Sequence, residues 1–158
     1  MTHEDYIKKA IEVAKISESR GGTTVGAIVV KDGKIIAEGM GLVSVTQDVS
    51  QHGEMDAIRD ACKKLQTLDL EGCILYGTIE PCNMCLSAAL WANVSEAYFG
   101  AYASDIEANS YEFENYSAED RAKKSKRWDG SKIKVTGGIL RDECKVLLKA
   151  YKDWVKRP

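Results

Sequence analysis

The stretch at residues 73–101, "CILYGTIEPCNMCLSAALWANVSEAYFGA", carries the decisive pattern of this chain. Its first seven residues form a short apolar run of the kind a buried strand shows, and Pro81 ends it. Proline is favoured at the first helical position, so "PCNMCLSAALWA" reads as a helix starting at or beside Cys82 and Cys85. "EAYFGAY", residues 96–102, is a second strand. Strand, helix and strand in this order make a crossover unit, and the two cysteines fall at its strand-to-helix junction. By their spacing alone these thiols fit a metal site, a redox pair or a packed core.

The surrounding chain extends the same architecture. Residues 4–18 set Ile7, Ala10, Ile11 and Ala14 at helical spacing, and "RGGTT" breaks that helix. "VGAIVVKDGKIIAEG" gives two β-rich runs around Asp32-Gly33, a strong hairpin signal. "LVSVTQDVSQ" reads as an irregular loop. From His52 onward Met55, Ile58, Ala61, Cys62 and Leu65 mark an amphipathic helix. A helix is expected over 118–127, a short strand in "KIKVTGG", and a closing helix over 140–154 that buries Leu140, Cys144, Leu147, Leu148 and Tyr151. Alternating helices and strands predict a single α/β domain over residues 1–158, a three-layer α/β/α fold around a mixed sheet.

Composition narrows the function classes. The 158 residues suffice for one hydrophobic core, and 44% hydrophobic with 29% charged residues is ordinary for a globular protein. No apolar run approaches the roughly 18 residues of a membrane span. The first residues lack the apolar core of a signal peptide, so a cytoplasmic location is expected. The formal net charge of −2 lacks the basic surplus of proteins that live on nucleic-acid backbones. The local run "KKSKR", residues 123–127, is a candidate RNA contact or a solvated face. Without a secretory signal, five cysteines do not suggest a disulfide framework. Cys62, Cys73 and Cys144 read as small buried hydrophobes, leaving Cys82 and Cys85 as the pair.

A catalytic zinc site takes three protein ligands and leaves a fourth position open. Of the two histidines, His3 lies near a terminus expected to fray, whereas His52 starts a helix directly after a loop. Glu54 follows two residues on. "HGE" ahead of "PCNMC" meets the H-x-E…P-C-x-x-C signature of zinc base deaminases. In that chemistry the metal activates a water, and the glutamate moves protons without being a ligand. A redox reading leaves His52 and Glu54 without a role; structural zinc needs a fourth ligand.

On these residues the chain resembles the cytidine and nucleobase deaminase superfamily. The hairpin stretch, residues 73–101 and "VTGGILRDECKVLLKAY" all resemble segments of that family, the last its tRNA adenosine deaminase branch. The resemblance implies a five-stranded sheet, one Zn²⁺ per subunit held by His52, Cys82 and Cys85, Glu54 as proton shuttle, and a homodimer. It further implies a substrate contact at Gly53, whose "HGE" resembles the small cytosine deaminases. Thr24 stands where the family usually writes proline. Gly41 stands where it commonly supplies an asparagine to the substrate, which predicts a roomier pocket there. Candidate groups to cover and read the substrate are Glu112, Phe113, Glu114, Trp128, Asp153 and Trp154, with Tyr111 beside them.

The resulting expectation is a zinc-dependent aminohydrolase of cyclic amidines, acting on a free nucleobase or related small aminated heterocycle, cytosine- or guanine-like. The alternatives are a tRNA-specific adenosine deaminase and a non-catalytic zinc-bound interaction module.

Overall fold

A computed structural model of the chain describes residues 1–106, 117–127 and 129–155, with side chains up to residue 149. Tyr111, Glu112, Phe113, Glu114 and Trp128, and the side chains of Tyr151, Asp153 and Trp154, lie outside the described residues.

The first helix, α1 (His3–Ser19), opens with a reciprocal cap. Thr2 Oγ1 accepts the Asp5 N–H at 3.2 Å, and Asp5 Oδ2 accepts the Thr2 N–H at 2.8 Å, which satisfies two backbone donors at once. The strands β1 (Gly26–Lys31) and β2 (Lys34–Met40) form the expected hairpin. Its turn residues Asp32 and Gly33 both take positive φ, 49° and 73°. Two left-handed residues twist a two-residue turn to match its strands. The stretch after β2 is not wholly irregular, because one helical turn, α2 (Val43–Thr46), forms there. Then follow α3 (Gly53–Leu65), β3 (Cys73–Ile79), α4 (Asn83–Trp91), β4 (Glu96–Ala101), a 3-10 turn at Ala103–Asp105, α5 (Ala118–Lys124), β5 (Lys134–Thr136) and α6 (Arg141–Val155).

The sheet has five strands in the order β2-β1-β3-β4-β5. β1 runs antiparallel to both its neighbours, while β3, β4 and β5 are mutually parallel. Parallel neighbours need a crossover, and α4 supplies it between β3 and β4. Strand alternation sorts the core into two halves. Ala27, Val29, Cys73, Leu75 and Ala97 pack on the face covered by α3 and α4. Ile28, Val30, Tyr76 and Tyr98 pack on the face covered by α1 and α6. The expected three-layer α/β/α arrangement is therefore present.

The fourth helix starts beside the cysteines as expected: Pro81 precedes its N-cap Cys82, whose sulfur accepts the Cys85 N–H at 3.5 Å. Other local expectations change. The helix expected over 118–127 stops at Lys124, where Ser125 turns to an extended conformation. Cys62 is only partly buried, unlike Cys73 and Cys144, because it lies on the flank of α3.

Candidate metal centre and active site

Two junctions leading into helices meet at one end of the sheet, beyond the C-terminal ends of β2 and β3. The first carries His52, the N-cap of α3, with Glu54 in the first turn. The approach of this helix depends on Gly39: a Cβ there would lie 2.0 Å from the Gly53 carbonyl oxygen and 2.3 Å from the Ala57 nitrogen. Glycine lets α3 rest directly on β2. Asp56 Oδ2 accepts the Met40 N–H at 3.0 Å and fixes the helix along that strand. Arg59 holds the incoming loop, donating to Gln51 Oε1 at 2.7 Å and to the Ser50 carbonyl at 2.9 Å.

The second junction carries Cys82 and Cys85 on the cap and first turn of α4. The three donors converge. His52 Nδ1 lies 3.7 Å from each sulfur, and the sulfurs are 3.5 Å apart. A tetrahedral zinc with Zn–S of about 2.3 Å and Zn–N of about 2.0 Å requires edges of about 3.8 Å between sulfurs and about 3.5 Å from sulfur to nitrogen. The observed triangle agrees to within a few tenths of an ångström. His52, Cys82 and Cys85 are also the one group with metal-binding geometry among the described residues.

Without a metal, one of the two thiols keeps its proton. The sulfur–sulfur hydrogen bond, helped by His52, pushes Cys82 down to about 4. The same bond, with burial and the Glu54 charge, holds Cys85 far above the ordinary thiol range. A divalent cation satisfies both sulfurs as thiolates and displaces that proton. Glu54 is buried, at 3% exposure, and its Oε2 accepts from Cys85 Sγ at 3.5 Å. Burial, followed by the neighbouring Cys82 thiolate, pushes its carboxyl up to about 7. A carboxyl that exchanges protons near neutrality beside a three-donor metal site is equipped for acid–base work.

The first 101 residues match the cytidine and deoxycytidylate deaminase zinc-binding region. The chain belongs to that deaminase family. It is 43% identical to a guanine deaminase of Bacillus subtilis over 66% of this chain and 68% of the relative. It is 37% identical to a tRNA-specific adenosine deaminase of the same organism over 96% of this chain and 89% of the relative. A solved guanine deaminase from Nitrosomonas europaea superposes with a TM-score of 0.81 at 27% identity, covering 95% of this chain and 84% of that one. The chain is thus a hydrolytic deaminase with a zinc centre, and its donor set fits the metal.

The remaining sequence candidates fall in different places. Gly53 is buried as the first residue of α3, and its N–H is among those a helix start leaves without an intrahelical acceptor. The roomier pocket expected at Gly41 is absent. A Cβ at Gly41 would meet Thr23 Oγ1 at 2.0 Å, so the Thr23 side chain fills the space an asparagine would need. Thr24, in place of the usual proline, donates its hydroxyl to the Leu147 carbonyl at 2.7 Å and ties the start of β1 to α6. His3 is not frayed: its Nδ1 is 2.9 Å from Tyr76 Oη and its ring stacks on Tyr98 at 4.0 Å, on the other face of the sheet from His52. Within "KKSKR", Lys123 pairs with Asp120 at 3.4 Å and Arg127 with Asp129 at 3.9 Å. No helix among the described residues is long and apolar enough to cross a membrane.

Sequence reasoning missed Glu80. This buried acid accepts the N–H groups of Ala103, at 2.8 Å, and of Ala118. An acid closing an apolar strand two residues before a ligand was the available signal.

Proposed function

We propose that this deaminase removes the exocyclic amino group of a free nucleobase or related small aminated heterocycle, with guanine-like and cytosine-like rings first in order. The observation that carries the reading is the buried Glu54 carboxyl against Cys85, beside the His52/Cys82/Cys85 triangle. Zinc, when bound, supplies water of lowered pKa at neutral pH. Glu54 accepts the proton that water gives up as it adds to the ring carbon. It passes that proton to the ring nitrogen, then takes the second water proton from the new hydroxyl and gives it to the amino group, so the carbonyl forms as the C–N bond breaks and ammonia leaves. The N–H of Gly53 donates to the base. A non-catalytic zinc module leaves the buried carboxyl of Glu54 without a role.

A free base is preferred over RNA because the net charge is −2 and part of the basic run is already paired with acids. The similarity to a guanine deaminase supports the same choice. The second reading, a tRNA-specific adenosine deaminase, is favoured by a relative aligned over 96% of the chain. The proposal includes one deaminase domain over residues 1–158, a cytoplasmic role in nucleobase metabolism, and a homodimer. Trp91, 73% exposed on α4, offers the second copy an apolar contact.

The test is ammonia release across guanine, cytosine, other aminated bases, aminated triazines, nucleosides and a tRNA anticodon stem-loop. The expected result is turnover of a free base or small heterocycle with kcat/KM at least tenfold above the RNA, about 1.4 kcal/mol of discrimination. Inosine formation in the RNA with no turnover of any small heterocycle overturns the first reading and establishes the second.

A further inference from the structure

His52 and Cys82 lie on the extended cap residues before α3 and α4, whereas Cys85 lies in the first turn of α4. Cys82 has an added hold. A side chain distant in sequence brackets it. Arg121, on α5, donates from Nη2 to the Pro81 carbonyl at 2.8 Å and from Nη1 to Asn83 Oδ1 at 2.7 Å. One planar guanidinium therefore grips the residue before Cys82 and the residue after it. Arg121 Nη2 also lies 3.7 Å from Glu80 Oε1, with both side chains largely buried at 13% and 6% exposure. Glu80 in turn accepts the Ala118 N–H at the start of α5, so the grip closes on itself.

We propose that Arg121 is a positioning residue for the metal centre, acting through Pro81 and Asn83 to keep the Cys82 sulfur at the corner of the donor triangle and so to slow loss of zinc. The inference rests on the zinc centre described above. The fork geometry is essential, because two acceptors on opposite sides of one residue are spanned by the two ends of a guanidinium and not by an ammonium. Partners that orient metal ligands typically contribute about 10–100-fold in metal affinity.

The test measures zinc transfer from the loaded protein to an excess of a metallochromic chelator, at a temperature well below unfolding. Arg121→Ala strands the Glu80 carboxylate without its cation, so the informative variants are Arg121→Lys, which keeps the charge, and Asn83→Ala, which removes one exposed acceptor. Val13→Ala, in the core on the α1 face, is the control for general loss of stability. The expected result is zinc release about 10–100-fold faster in Arg121→Lys, a smaller increase in Asn83→Ala, and a wild-type rate in Val13→Ala. Release at the wild-type rate in Arg121→Lys overturns the proposal, as does equal acceleration in the Val13→Ala control. A wild-type protein that takes up no zinc overturns the metal centre itself, a separate result distinguished by the wild type alone.

Discussion

Replacing Glu54 by glutamine is expected to stabilise the metal-free protein while disabling the enzyme. An ordinary glutamate carboxyl titrates near 4.5, and burial of Glu54, with the Cys82 thiolate beside it, pushes that value up to about 7. The folded state therefore binds a proton more tightly than the unfolded state. The stability this contributes is fully present below about pH 4.5 and is lost as pH rises through about 7. At roughly 1.4 kcal/mol per pH unit, the ionised carboxylate costs the metal-free fold about 3 kcal/mol above that window. Glutamine has nearly the same shape, still offers an acceptor to Cys85, and never ionises. Thermal melts of chelator-treated wild type and Glu54→Gln should nearly coincide near pH 4.5. By pH 8 the variant should melt about 6–12 °C higher, given about 2–4 °C per kcal/mol for a chain of this size. The zinc-loaded variant should keep its metal and lose about 10²–10⁴-fold in kcat. A gap in melting temperature that stays constant between pH 4.5 and 8 refutes the account of a buried, destabilising charge. An unchanged kcat refutes the proton-shuttle role.

Other substitutions probe the frame around that carboxyl. Cys85→Ala should abolish stoichiometric zinc in elemental analysis, because two donors do not make the triangle; full zinc content in the variant would remove Cys85 from the site. Gly39→Ala should lower stability by about 2 kcal/mol or more and weaken zinc retention, since its methyl group meets the backbone of α3; denaturant titration with unchanged midpoint would show that the helix has room to move. Gly41→Asn should destabilise by about 1–3 kcal/mol through its clash with Thr23, and Thr23→Ala in the same chain should restore most of that; additive effects would mean that the two positions are not in contact.

Features set by neighbours along the chain are legible in the residues themselves. The Asp32-Gly33 turn requires two left-handed residues in succession, a strong local demand that these residues meet. The order of β3, α4 and β4 follows from an apolar run, a proline and a second apolar run, with the two thiols at the junction. His52 and Glu54 stand out because ligand and shuttle share one helix start. Contacts between distant segments leave no comparable trace. Arg121 is 40 residues from the Pro81 carbonyl it binds, and its sequence neighbourhood reads as a charged surface helix. Thr23 fills the space beside Gly41 across a hydrogen-bonded turn between segments 18 residues apart; an absent asparagine therefore suggests a void that packing has already closed. His3 departs from the expected frayed end because position near a terminus says nothing about the aromatic groups of β3 and β4 that the sheet brings to it.

The two N–H groups bound by Glu80 bear on how this fold accommodates change. Ala103 and Ala118 are brought together on a single carboxylate, so the chain leaves and re-enters the frame at neighbouring points, whatever runs between them. Lengthening a segment whose ends are already fixed costs little: each doubling adds only about 0.6 kcal/mol of closure entropy. A change of length between Asp105, which holds Arg141, and Ser117, which caps α5, therefore leaves the donor triangle as it is. A chain library randomised in length and composition between these anchors would let one catalytic frame be screened against many ring systems.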